Sequence, residues 1–175
     1  MNIAEVITVD CANGLGTRLS VFISGCRLKC KGCFNEKAQD FEYGTEYNKD
    51  FGTMLFQELR KPYYDGISIL GGEPFDLMNQ PGLYDLLKIT KMAGKNVWIY
   101  TGYKFEELMD GGSQYIMYLT DELLKMTDVI VDGPFIESEH KLGLKFKGSA
   151  NQRIIDVPAT LNSWDTKKEV VLLDI

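Results

Sequence analysis

Three of the chain's four cysteines, Cys26, Cys30 and Cys33, fall within eight positions of the stretch Phe-Ile-Ser-Gly-Cys-Arg-Leu-Lys-Cys-Lys-Gly-Cys-Phe-Asn at 22–35. Thiolates this close in sequence, with Gly25 before the first and Gly32 before the third, suit one compact loop wrapped around a soft metal centre. On a cluster of four irons they would supply three protein ligands and leave one iron open, where a substrate could bind. The alternative is a zinc site completed by Cys11 or His140, although structural zinc sites usually pair one CxxC with a second, distant pair. Cys11 itself reads as a small residue in a turn, a spare ligand or a redox thiol.

Other chemistry-bearing residues are scattered along the chain. Gly71-Gly72-Glu73-Pro74 ends an apolar run; two glycines without Cβ atoms let a backbone come close to a ligand, the alternative being a strand-to-helix turn with no ligand. Thr101-Gly102-Tyr103 and Asp132-Gly133-Pro134 end two further runs. Asp132 reads either as a strand-end cap or as a carboxylate facing a pocket. Lys141, Lys145, Lys147 and Arg153 make a local basic stretch, either a solvated loop or a holder of carboxylate, phosphate or a partner surface. His140, the only histidine, lies between Glu139 and Lys141 in a polar segment, which leaves no obvious histidine for a Ser/His or Cys/His hydrolase. Gly14-Leu15-Gly16 is not a dinucleotide fingerprint, because the third glycine is missing and a strand follows where a helix should.

The elements that must position these residues follow from hydrophobic period and turn chemistry. Ile3–Val9 and Thr17–Ser24 are β-branched runs around Asn13-Gly14, hence a hairpin whose second strand delivers the cysteine loop. Phe51, Met54, Leu55 and Leu59 share one face of a predicted helix over 50–60, stopped by Pro62. Apolar strands are predicted at 66–71, 96–101 and 128–135, with helices from Pro81 to before Gly94 and over roughly 115 to 126. These three strands recur about every thirty residues, the length of a βα unit. The last candidate strand, at 169–174, would close an edge or pair with the hairpin.

A complete eightfold barrel takes about 250 residues, so a chain of 175 has room for five or six units. The predicted fold is therefore α/β, a short, laterally open partial (β/α) barrel with about five to six parallel strands and an N-terminal β-hairpin, in one domain over 1–175. Sites in such sheets lie at the C-terminal ends of strands, where the cysteine loop, Gly-Gly-Glu-Pro, Thr-Gly-Tyr and Asp132 all fall.

Hydrophobic residues make up 45% and charged residues 25%, a globular balance without repeat or low-complexity tract. A formal charge of −6 and a pI near 4.9 argue against a general nucleic-acid binder. No apolar run approaches bilayer length and the N-terminus has no signal-like pattern, so the expectation is a soluble, cytoplasmic chain in a reducing compartment, with no membrane partner.

CxxxCxxC after an apolar strand resembles the radical S-adenosylmethionine (SAM) superfamily. That superfamily often places an aromatic residue just before the third cysteine; here the place is Gly32 and the aromatic follows as Phe34. Gly32-Cys33-Phe34-Asn35 is similar instead to one branch, the activating proteins of anaerobic ribonucleotide reductase. Val-Asp-Gly-Pro-Phe-Ile at 131–136 and Lys-Gly-Ser-Ala-Asn-Gln-Arg-Ile-Ile at 147–155 resemble the same branch. The resemblance covers most of the chain and implies a radical SAM partial barrel in which Cys26, Cys30 and Cys33 hold a 4Fe-4S cluster. It implies SAM bound near Gly32, Cys33, Phe34, Gly71, Gly72, Glu73, Thr101 and Asp132, with Ser149, Asn151 and Arg153 toward its ribose or carboxylate. The activity implied is reductive cleavage of SAM and formation of a glycyl radical on the large catalytic subunit of the reductase, with a flavodoxin-like electron donor. The competing readings are an activase of another glycyl-radical enzyme of the formate-lyase type, and a non-catalytic iron-sulfur or zinc interaction module.

Overall fold

The computed structural model of the chain describes all residues except 115 and 117. Strand β1 (Asn2–Asp10) and strand β2 (Arg18–Ile23) pair antiparallel, with Val6 opposite Val21. This is the expected N-terminal hairpin. A short β3 (Thr45–Glu46) adds to the outer edge of β1. Helix α1 (Lys49–Leu59) follows, started by the Asn48 side chain, which accepts from the Phe51 N–H at 2.9 Å. The chain then alternates β4 (Gly66–Gly71), α2 (Gln80–Met92, with Pro81 in its first turn), β5 (Asn96–Tyr100), α3 (Phe105–Asp110), α4 (Thr120–Lys125) and β6 (Val129–Asp132). It ends with β7 (Arg153–Asp156) and α5 (Val157–Lys167), whose N-cap Asp156 accepts from the Ala159 N–H at 2.9 Å.

The seven strands form one sheet in the order β3-β1-β2-β4-β5-β6-β7. Only β2, β4, β5 and β6 are mutually parallel; β1, β3 and β7 run antiparallel to their neighbours. The expected partial barrel of five to six parallel strands is therefore wrong, and the architecture among the described residues is a mixed sheet with five helices. The thirty-residue period holds from β4 to β6 and then stops. After β6 no further βα unit follows: the chain makes a long irregular excursion over 133–152 and returns beside β6 in the opposite direction. Arg153 and Asp132 are register partners in that return and also an ion pair, which pins the antiparallel end. The run at 169–174 is not a strand; it lies against β7 through a single bridge, Ile155 to Leu172, at the edge away from the hairpin.

Period-two alternation sorts the sheet into two faces. Leu19, Val21 and Ile23 of β2, Ile67 and Ile69 of β4, Val97 and Ile99 of β5, Ile130 and Ile155 point into one core shared with all five helices. The intervening residues Trp98, Val129, Val131 and Ile154 form a second, smaller cluster with Tyr100, Phe146 and Leu173 on the opposite face. Toward the strand C-termini, Phe22, Leu70 and Tyr100 on that opposite face border a cavity. Helices thus buttress one side of the sheet and leave the other to carry a site.

Two helices, α3 and α5, escape the sequence reading; α3 is short and α5 carries Thr, Asn, Ser and Asp among few apolar positions. The helix predicted over roughly 115 to 126 is present as α4 only from Thr120, and positions 115 and 117 of that expectation lie outside the described residues. Among the described residues no helix is long and apolar enough to cross a membrane.

In α1, Leu55 and Leu59 are buried as expected, whereas Met54, on the border of the 51–55–59 row, is 50% exposed. Leu55→Ala should therefore cost about 2–5 kcal/mol of unfolding free energy and Met54→Ala less than about 0.5, read from urea denaturation midpoints at constant slope. Equal losses would show that the assigned face is wrong.

Candidate metal centre

Beyond Ile23 the chain leaves the sheet as a loop closed at its base: Gly25 N–H donates to Ala38 O at 2.8 Å and Cys26 N–H to Gln39 O at 3.1 Å. Inside it Cys33 N–H donates to Cys30 O at 3.3 Å. Cys26, Cys30 and Cys33 are half-buried free thiols, and all three border one cavity of about 380 Å³, within the roughly 300–1,000 Å³ of small-molecule sites. Three thiols on one cavity are the donor set that a polynuclear cluster, which meets each thiolate at a different iron, would need. Burial, and then the Glu73 charge, push the Cys26 thiol up to about 11, partly countered by hydrogen bonds from the Leu28 and Lys29 backbones. Its thiolate is thus favoured only with a cation beside it.

The cavity's opposite wall is the exit turn of β4. Gly72 N–H donates to Ile23 O at 2.7 Å and Glu73 N–H to Gly25 O at 2.8 Å, so this turn is sewn to the start of the cysteine loop. The glycines are required by that contact: Gly71 has φ 105° and a Cβ there would sit 2.6 Å from Ile23 O, while one on Gly72 would sit 2.5 Å from Gly25 O. Close approach to a neighbouring strand, in addition to any ligand, therefore explains the Gly-Gly pair. Glu73 lines the cavity although its side chain is buried. It accepts from Phe75 N–H at 3.0 Å, Thr101 Oγ1–H at 2.8 Å and Gly102 N–H at 2.9 Å. Burial outweighs these donors and pushes its carboxyl up to about 7.

The remaining expected residues divide. Thr101 and Phe34 border the cavity with the three cysteines, Gly71, Gly72 and Glu73. Phe34, 67% exposed, forms a rim with Phe135 at 4.8 Å and His140 at 5.4 Å between ring centroids. Gly32, Asp132, Ser149, Asn151 and Arg153 are not among the lining residues. Asp132 accepts from Phe105 N–H at 2.8 Å and from Arg153 Nε at 3.0 Å, and Arg153 also grips Glu106 through two bonds of 2.8 and 2.7 Å. That bidentate grip holds Glu106 below the usual carboxylate range. Ser149 Oγ accepts from Ile136 N–H at 3.2 Å and Asn151 Nδ2 donates to Pro134 O at 2.8 Å, so both brace the 133–152 excursion. Cys11 is exposed and outside the cavity lining, though its neighbours Ala12 and Asn13 border it.

The sequence reading missed Tyr100 and Gln152 as lining residues, whereas Lys147 of its basic stretch does border the cavity. The hydroxyl of Tyr100 is buried without a hydrogen-bond partner, a cost that a polar ligand would relieve. Strand alternation could have found it, since Tyr100 shares the Trp98 face and immediately precedes Thr101. Gln152 lies between two residues that were singled out; its amide joins Gly133 O at 3.0 Å and Gly148 N–H at 2.7 Å.

Sheet and thiol-lined cavity together define a small single-cluster iron-sulfur protein, and residues 12–155 match the family model of the 4Fe-4S single cluster domain. Among curated proteins, the chain is 33% identical over 158 residues to the anaerobic ribonucleoside-triphosphate reductase-activating protein of Vibrio cholerae, covering 88% of this chain and 97% of that one. It is 31% identical over 156 residues to the protein of that name from Escherichia coli K12 (87% and 96% covered), and 32% identical over 158 residues to that of Enterobacteria phage T4 (88% and 93%). The chain belongs to the family of anaerobic ribonucleoside-triphosphate reductase-activating proteins.

Glu73 gives the ligand-free protein a definite pH signature. Its carboxyl has an ordinary value near 4.5 and titrates near 7 when folded, so between these the folded state holds the proton more tightly. Its contribution to stability is full below about 4.5, falls as pH rises toward about 7 and is flat above. Unfolding free energy measured from pH 4.5 to 8 should show this decline in the wild type, and the decline should be shallower in Glu73→Gln; parallel curves would refute the assignment.

Proposed function

We propose that the chain is a radical SAM activating enzyme that generates a glycyl radical on the catalytic subunit of anaerobic ribonucleoside-triphosphate reductase. The observation that carries the reading is the meeting of three free cysteines and a buried carboxylate on one cavity at the C-terminal ends of parallel strands. The names of the relatives support the partner, and the 4Fe-4S family match supports the cluster.

In this reading Cys26, Cys30 and Cys33 would hold the 4Fe-4S cluster and the Glu73 side of the cavity would hold SAM. When bound, the two would supply one-electron reductive cleavage of the SAM sulfonium, with the electron from a flavodoxin-like donor, and hydrogen-atom abstraction from a glycine of the reductase. The chain's own residues bind and orient. Glu73 faces the ammonium, and its three protein donors keep the carboxylate from swinging away. Phe22, Leu70 and Tyr100 make the floor, and Phe34, Phe135 and the 144–148 segment wall off water. Hydrogen-atom transfer needs no general base, which agrees with the absence of a histidine from the lining residues.

The test is anaerobic. Reconstituted wild type should bind about four irons per chain and, with dithionite and SAM, release 5′-deoxyadenosine. Addition of the reductase subunit should produce a glycyl-radical electron paramagnetic resonance signal. Cys26→Ala, Cys30→Ala and Cys33→Ala should each reduce release to the protein-free background, and Cys11→Ala should leave it unchanged. A Cys26→Ala protein that still released 5′-deoxyadenosine would refute the ligand assignment, and zinc at one equivalent without iron would refute the function.

A further inference from the structure

Arg27 lies between the first two cysteines, and its Nη1 donates to the carboxylate of Asp76, whose side chain is wholly buried. The guanidinium also stacks 4.6 Å from the Phe41 ring centroid, so it is held by contacts on both sides. Asp76 belongs to the turn that carries Glu73: its N–H donates to Glu73 O at 3.1 Å and its Oδ1 accepts from Met78 N–H at 3.0 Å. On the other side of Cys26, Gly25 O accepts from Glu73 N–H at 2.8 Å and from Asn79 Nδ2 at 3.2 Å. Cys26 is thereby bracketed by two ties to a single segment, a backbone tie before it and a charged side-chain tie after it.

We propose that Arg27 is a positioning residue which, by occupying Asp76, locks the cysteine loop to the Glu73 turn and reserves the Glu73 charge for the cationic end of the bound ligand. Asp76 and Glu73 are both buried and three positions apart, so their like charges oppose each other. The fixed guanidinium neutralises one of them. Without it a buried carboxylate loses its partner, and the turn must shift or hydrate. The distance between Cys26 and Glu73 would then be held only by the backbone tie from Glu73 N–H to Gly25 O, with no tie on the far side of Cys26. The identity of the ligand rests on the function proposed above; the clamp belongs to the protein alone.

Two measurements separate the two. In the cluster-free protein, amide hydrogen exchange in segments 26–33 and 75–79 should accelerate together by roughly tenfold in both Arg27→Ala and Asp76→Asn, as expected from loss of a buried charge partner. The acceleration should be smaller in Arg27→Lys, and exchange in the sheet should be unchanged. In anaerobically reconstituted protein of matched iron content, the Kd for SAM should rise about tenfold in Arg27→Ala and recover in part in Arg27→Lys. Unchanged exchange in both segments, or a wild-type Kd in Arg27→Ala despite faster exchange, would overturn the proposal. A wild type that retains its irons but binds no SAM would sink the functional reading, with the clamp then decided by exchange alone.

Discussion

The Gly71-Gly72-Glu73 turn is latched on both sides, and the site depends on that double latch. Toward β2 its backbone N–H groups reach Ile23 and Gly25, and toward β5 the Glu73 carboxylate gathers Thr101 and Gly102. Parallel strands alone align their C-terminal ends but do not fix the loops that leave them. Here one turn supplies donors to one neighbour and acceptors to the other, so three consecutive loops become a single rigid body. A buried carboxylate is costly, and the three protein donors on Glu73 reduce that cost without cancelling it.

The antiparallel return of β7 matters as much as the parallel strands. Another βα unit would have placed a further helix and strand beyond β6. The chain spends residues 133–152 instead on an irregular wall, and such a segment must satisfy its backbone without a ladder. It does so with side-chain amides: Gln152 serves Gly133, Gly148 and Ser149, and Asn151 serves Pro134. The Asp132–Arg153–Glu106 triad then anchors the base of this wall to the sheet and to α3. Residues that resemble cofactor contacts in sequence thus also brace this wall, while Asn151 Oδ1 stays buried without a hydrogen-bond partner.

Much of this was legible in the residues, and the failures have physical causes. Hydrophobic period located β1, β2, β4, β5, β6, α1 and α2, because each buries an apolar face large enough to dominate its neighbours. Strand direction at β7 was not legible: Arg-Ile-Ile-Asp has the same composition whichever way it runs, and what decides is the long-range pairing of Arg153 with Asp132. Counting units by chain length failed for the same reason, since the twenty residues of irregular wall and the strand that follows them look like one more βα unit. The cysteines, Glu73 and Thr101 were recognisable because they end strands. Tyr100 could be found only by following strand alternation to the end of β5, and Gln152 not at all, because it reads as ordinary loop.

Charge joins the cavity to its proposed ligands. Loop 26–37 carries Arg27, Lys29, Lys31 and Lys37 against Glu36 on a chain whose formal charge is −6, so positive charge is concentrated where thiolates must form. Arg27 is committed to Asp76 and Lys31 lies 3.4 Å from Glu137. The Glu73 charge disfavours ionisation of Cys26, after burial, and burial itself disfavours ionisation of Glu73. A half-buried thiol and a buried carboxyl in that position would both be relieved by cations, which in the proposed reading are iron at the sulfur and an ammonium at the carboxylate. Because the Glu73 charge raises the cost of a Cys26 thiolate, a cation at either group would lower the cost of charge at the other, so the proposed cluster and ligand would each make the site more favourable to the other.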